Sequence, residues 1–263
     1  MDFISLELLF VGTLIIMGIA IELGYRTGHS HPPVLKKERE KIASLNTTSV
    51  LGMLGFILVF AFGIVYSRYE TRKALVKEEA NIIRNVWLRA DFLPEQDRID
   101  TENKLKRYID LRLEAAALKT LDNIGPILKE THLLQHQIWN VAVLNARKDM
   151  NSAVGALYLE SLNDMLNQHA NRVGAGIMAR IPDFIWIVLY LLVFLGMFSV
   201  GYQTSITSSS RRSWLTPVMV LSFTLMIILI ASLDRPVGSF ITVSQQSLID
   251  VKSWMNEGRE FPK

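Results

Sequence analysis

The chain has 263 residues, 50% of them hydrophobic and 20% charged, with 28 Lys plus Arg against 25 Asp plus Glu and a mean hydropathy of +0.25. That near-balance of charge speaks against a strongly basic nucleic-acid binder. With no cysteine, disulfide frameworks, thiolate metal sites and cysteine nucleophiles are excluded as well.

Four apolar runs organise the rest: Ile4–Leu23, Thr48–Tyr66, Phe184–Tyr202 and Leu215–Leu233. As helices rising about 1.5 Å per residue, each reaches close to the ~30 Å of a bilayer's hydrocarbon. The last three hold no Asp, Glu, Lys, Arg or His. The expected class is therefore an all-α, polytopic helical membrane protein with four transmembrane helices and a long helical insert between the second and third. The expected division is a first helix pair over 1–66, an extramembrane insert over 67–183, a second pair over 184–235 and a C-terminal helical tail over 236–263.

The first run lacks the basic flank and small-residue cleavage site of a signal peptide and reads as a retained span. It holds Glu7 and Glu22, the only ionisable residues in any of the runs. Intramembrane carboxylates are candidates for function, yet Glu22 stands four residues before Arg26, where an ion pair at the helix end explains it. Arg26–Thr47 reads as a polar loop, with His29 and His31 as surface residues. In the second run, Gly52, Phe56, Phe60 and Gly63 share one helical face. Around a symmetry axis such rings would line and gate a pore by keeping it dry; between neighbouring helices they would simply pack.

In the insert, Leu75, Ile82, Val86 and Leu93 recur at helical spacing with Ile83, Trp87 and Ala90 beside them, while Arg72, Glu79 and Arg89 fall between. Nothing interrupts this helix from Tyr66 to Pro94, so it should continue straight out of the second span. Leu105, Tyr108, Ile109, Leu111 and Leu113 belong to the next helix, Gly125-Pro126 punctuates, and His132–Arg147 and Ser152–Ala179 supply the remaining helical stretches. Lys plus Arg nearly balance Asp plus Glu here, which offers no stripe for nucleic acid. The Arg68–Lys77 cluster reads as a snorkelling set next to the membrane. His132 and His136 lie at i and i+4 near Glu130, without the glutamate of a metalloprotease signature between them, and read as a solvated face.

At the far end of the membrane segments, Arg180 precedes Pro182 before the third span, and Leu233-Asp234-Arg235-Pro236 closes the fourth. Arg180, Asp234 and Arg235 share one membrane level and are expected to form a charged interface with one another, either a structural clamp or a ring at a pore mouth. Orientation follows from charge. Arg26, Lys36, Lys37, Arg39 and Lys41 in the first loop, with Arg211 and Arg212 in Gln203–Trp214, place both short loops in the cytoplasm and both termini and the insert outside. No P-loop, dinucleotide glycine fingerprint, nucleophile elbow or zincin helix occurs, so neither catalysis nor a cofactor is expected.

Several strings taken in order carry a resemblance: Glu22-Leu-Gly-Tyr-Arg26, Arg68-Tyr-Glu-Thr-Arg72 running on to Asn81, Trp87-Leu-Arg-Ala-Asp-Phe-Leu-Pro94, Lys106-Arg-Tyr-Ile-Asp-Leu-Arg112, Leu162-Asn-Asp-Met-Leu-Asn-Gln-His169, Arg180-Ile-Pro182, Leu233-Asp-Arg-Pro236 and Val243-Ser-Gln245. Together they resemble the bacterial bestrophin-like integral membrane proteins over essentially the whole chain. The resemblance implies kinship with bestrophins, pentameric anion channels whose paired spans flank a helical insert kept in the cytoplasm; the last point opposes the charge-based orientation. It implies a homo-oligomeric ion channel in the bilayer of a bacterial inner membrane, with inorganic ions as cargo. The alternative is a non-conducting membrane-anchored scaffold or sensor that binds a protein partner through its insert.

Overall fold

The computed structural model describes residues 5–30, 33–118, 120–178, 180–207 and 215–257. Every regular element among them is helical: α1 (Leu6–His29), α2 (Pro33–Arg89), α3 (Glu95–Ala117), α4 (Ile124–Ala146), α5 (Ala153–Val173), α6 (Asp183–Thr207), α7 (Leu215–Asp234) and α8 (Gln246–Asn256). The expected all-α class is therefore found. By length and composition α1, α2, α6 and α7 can cross a membrane. The chain divides into two compact units, one of residues 1–67 and 180–235, the other of 68–179 and 236–263.

Within the span unit, α1 packs along α6 and also meets α7. Small residues set the closeness of the first contact. A Cβ on Gly24 would stand 2.0 Å from the Phe198 carbonyl oxygen, and one on Gly201 2.0 Å from that of Ile21. The backbones thus touch directly, as apolar helices do when lipid offers no hydrophobic drive of its own. Two threonines find partners inside the bundle: Thr13 Oγ1 donates to the Leu9 carbonyl and shares a 2.8 Å hydrogen bond with the Tyr190 hydroxyl, and Thr47 Oγ1 donates to the Ser199 carbonyl at 3.1 Å. Such pairing is favoured where no water reaches. Leu51 and Leu54 of α2 fill the space over Gly196 of α6.

The stretch expected as a polar loop, Arg26–Thr47, is a correction. Helix α1 runs to His29, and α2 begins at Pro33. Proline suits a first helical position, and Val34 to Leu45 contains no breaker, so the polar residues extend the helix rather than interrupt it. Arg211 and Arg212 lie outside the described residues, as do His31 and the side chains of Lys36 and Lys37.

In the insert unit, α2 continues to Arg89 and ends in a 3₁₀ turn, Ala90–Phe92, just ahead of Pro94, the continuation the sequence predicts. Helix α4 starts at Ile124, eight residues before the predicted His132, because Gly125-Pro126 occupies its first turn, where proline is tolerated, instead of breaking it. The core joins Val76, Ile83 and Val86 of α2 with Leu105 and Tyr108 of α3, Ile138 of α4 and Leu162 of α5. Leu248 and Met255 of α8 complete it, so the tail after the fourth span belongs to this unit. Arg84 of α2 stacks over Trp254 at 4.7 Å, and Lys252 pairs with Asp110 at 2.6 Å.

The buried stripe of α2 coincides with the predicted one at Val86 and Leu93 and departs from it at Leu75 and Ile82. Val76, Ala80, Ile83, Val86 and Ala90 are buried, whereas Leu75 and Ile82 are only half-covered. Arg72 and Glu79, expected on the polar side, are buried as well.

Candidate functional site

Helix α2 presents two unlike faces where it passes through the span unit. Leu54, Leu58, Ala61 and Val65 are buried, and on the opposite side Phe56 and Phe60 are 73% and 64% exposed. Gly52 and Gly63 lie on that open side, and nothing within 4 Å would meet a Cβ added at either. Of the four spans α2 is the least covered: 22% of its most apolar stretch is buried, against 28%, 33% and 39% for α1, α6 and α7. A wholly apolar face of this kind can meet lipid, another copy of the helix, or a dry passage between copies.

The two charged candidate groups are also located. Glu22 accepts from Arg26 Nε at 2.8 Å across one helical turn, which makes it a local pair at the end of α1. Arg180 and Asp234 meet: Arg180 Nη1 donates to the Asp234 carbonyl oxygen at 2.9 Å and stands 3.9 Å from its carboxylate, which accepts the Ile181 N–H at 3.1 Å. Arg235 is buried beside it. The contacts of Asp234 tie the entry of α6 to the end of α7, so the geometry is that of a clamp within one chain.

Sequence reasoning missed the strongest electrostatic feature, which lies in the insert unit. Glu79 of α2 is 0% exposed. Its carboxylate pairs with Arg112 Nε at 3.0 Å, accepts from the Tyr108 hydroxyl at 3.1 Å and is bound by Arg172 Nη1. Arg172 Nη2 donates to Gln245 Oε1 at 3.2 Å, which draws in the segment ahead of α8. Burial, and next the charge of Glu79, push the Tyr108 phenol far above its ordinary value, so it stays a donor. Burial pulls the Arg172 guanidinium down, an effect opposed by Glu79. The one signal in the sequence is an acidic residue on the apolar side of an amphipathic helix, with no counter-charge three or four residues away to pair with it.

His132 and His136 are exposed, and Glu130 is held by Arg107 through two hydrogen bonds of 2.8 and 3.1 Å, which keeps its carboxyl below the usual range. Among the described residues no three His, Asp or Glu side chains come together as a metal would need.

Four apolar helices, a paired arrangement around a helical insert and an unpartnered apolar face on the second helix define a polytopic helical membrane protein. The chain belongs to the Bestrophin-like domain family, whose model matches residues 15–248. Its fold is similar to that of a bacterial bestrophin homologue from Klebsiella pneumoniae, solved as a point variant, with a TM-score of 0.65 and 12% identity over 96% of this chain and 98% of that one. No curated protein sequence matches.

Proposed function

We propose that the protein assembles as a homo-oligomer, a pentamer as in the bestrophins, and conducts inorganic anions along an axis lined by α2. The observation that carries this reading is the open α2 face: Phe56 and Phe60 project from a side of the helix that the other described residues leave largely uncovered, flanked by Gly52 and Gly63. Facing an axis, the rings would hold a narrow passage dry, and a dry passage stops ions because lost hydration is not replaced. Family membership and the shared fold support the same reading. The test is ion flux in liposomes containing the Phe56→Ala/Phe60→Ala protein. Raised flux with the oligomer intact is expected; an assembled variant without flux under anion or cation gradients refutes the pore.

A scaffold is the second reading, favoured by one observation. Leu88, Phe92, Met150, Val154 and Leu157 are large, apolar and exposed on the insert unit, where a protein partner would cover them. Sealed spans in the flux experiment would turn the assignment to it.

For location we infer a bacterial inner membrane, with the short connections in the cytoplasm and the insert and both termini in the periplasm. The basic residues Arg26, Arg39 and Lys41, together with Lys36 and Lys37, cluster at the α1–α2 connection, and none lies in the stretch before α1. A single cysteine at Ser30 should resist an impermeant maleimide in spheroplasts, while one at Asn123 should react. The opposite pattern would set the insert in the cytoplasm, as in the bestrophins.

A further inference from the structure

One buried titratable group in the insert unit has no part in the proposed pore. His169 of α5 is 3% exposed, and neither ring nitrogen has a hydrogen-bond partner. Its ring stands edge-on to Tyr108, with centroids 6.3 Å apart, and to His132, at 5.4 Å. Around it stand Glu79 from α2, Tyr108 and Arg112 from α3, His132 from the rim of α4, and Arg172 one turn further along α5. Arg72 is the other buried charge on that face of α2, two turns before Glu79. Two guanidinium groups therefore share one carboxylate before the imidazole is counted.

We propose that His169 is a proton-operated switch, and that its protonation opens the Glu79 junction and frees the C-terminal end of α5 from α2 and α3. Uncharged, the ring fits as a flat, mostly apolar wedge between Tyr108 and His132. Charged, it adds a third cation to a site with one anion, and both its nitrogens become donors facing no acceptor. The imidazolium can be relieved only by turning out past His132 to water. Arg172 lies three residues on in the same helix, so that movement pulls on the Arg172–Glu79 pair and on the Arg172–Gln245 hydrogen bond. The five-residue π turn Gly174–Met178 follows at once, a less regular stretch that can absorb the displacement.

Burial, and then Arg112, hold the imidazole pKa down to about 4 from an ordinary 6.5, with Glu79 pulling the other way. The sign follows directly. Well above pH 6.5 the group is neutral in the closed and the opened state, and the closed state keeps its full stability. As pH falls, the opened state takes its proton first, so closure weakens progressively towards about pH 4. The switch does not depend on conduction; a failed flux experiment leaves it standing.

The test uses the full chain in detergent or nanodiscs. Hydrogen–deuterium exchange at the histidine C2 positions, read by mass spectrometry, gives a titration for each ring in the wild-type protein. His169 should titrate at least about one pH unit below an ordinary imidazole. Backbone exchange from about pH 7.5 to about pH 4.5 should then reveal acid-induced loss of protection in the C-terminal part of α5, absent from His169→Gln and retained in His132→Gln. His169 titrating as an ordinary imidazole, or acid opening that persists in His169→Gln, would overturn the proposal. Should His169→Gln not assemble, the wild-type histidine titration decides alone.

Discussion

Replacing Glu79 by Gln tests what holds the insert unit together. The change keeps shape and leaves an amide oxygen to accept from Tyr108, worth about 1 kcal/mol net, but it deprives Arg112 and Arg172 of their shared anion. Removing one partner from a buried ion pair costs about 3–5 kcal/mol, mostly because the remaining charge has neither water nor counter-ion. Here two cations are stranded, and the retained hydrogen bond offsets part of the loss, so a destabilisation of about 3 kcal/mol is expected. Glu70→Gln is the matched control. Its pair with Lys73 spans 3.7 Å, with side chains 43% and 60% exposed, and pairs of that kind are worth about 0–1 kcal/mol. Thermal unfolding followed by tryptophan fluorescence suits the comparison, since Trp87 lies in this core and Trp254 packs against it. Each kcal/mol moves Tm by roughly 2–8 °C in domains of this order of size, so Glu79→Gln should melt about 4 °C or more below Glu70→Gln. Equal melting of the two variants would refute the view that Glu79 is held as an ion.

Two further outcomes follow from packing. Gly24→Ala brings a Cβ against the Phe198 carbonyl oxygen and the Tyr202 N–H, both rigid backbone, so α1 and α6 must separate; a loss of about 1–3 kcal/mol in thermal stability is expected, against none for Gly12→Ala, where nothing lies within 4 Å. Val86→Asp buries an unpaired carboxylate at a fully covered position and should abolish the monodisperse peak in size-exclusion chromatography, whereas Ile82→Asp, at a half-covered one, should leave that peak in place.

The spans were legible because the bilayer imposes one requirement, length without charge, that a single sequence displays openly. The continuity of α2 was legible too, since no breaker stands between Tyr66 and Arg89. The buried side of α2 was legible only in part. Val86 and Leu93 lie on it as the spacing predicts, but Ile82 and Ile83 are alike in bulk and adjacent in sequence, and which of them is covered depends on partners elsewhere in the chain. Glu79 was misplaced for a related reason: its partners Tyr108, Arg112 and Arg172 are remote in sequence, and an acidic residue beside Glu78 looks solvated when read locally. The face Gly52, Phe56, Phe60, Gly63 was visible as spacing, but what it meets is a property of an assembly and is not written in one chain's periodicity.

The seating of α8 in the core of the insert unit also fixes an order of events during synthesis. Residues 68–179 leave the ribosome well before Leu248 and Met255 exist, and at about 5–20 residues per second the third and fourth spans occupy the intervening several seconds. Through that interval the apolar surface awaiting α8 on α2 and α3 has no cover. Completion of the unit therefore reports that the last span has been made, and a chain arrested in the membrane part would display an unfinished core to chaperones and proteases.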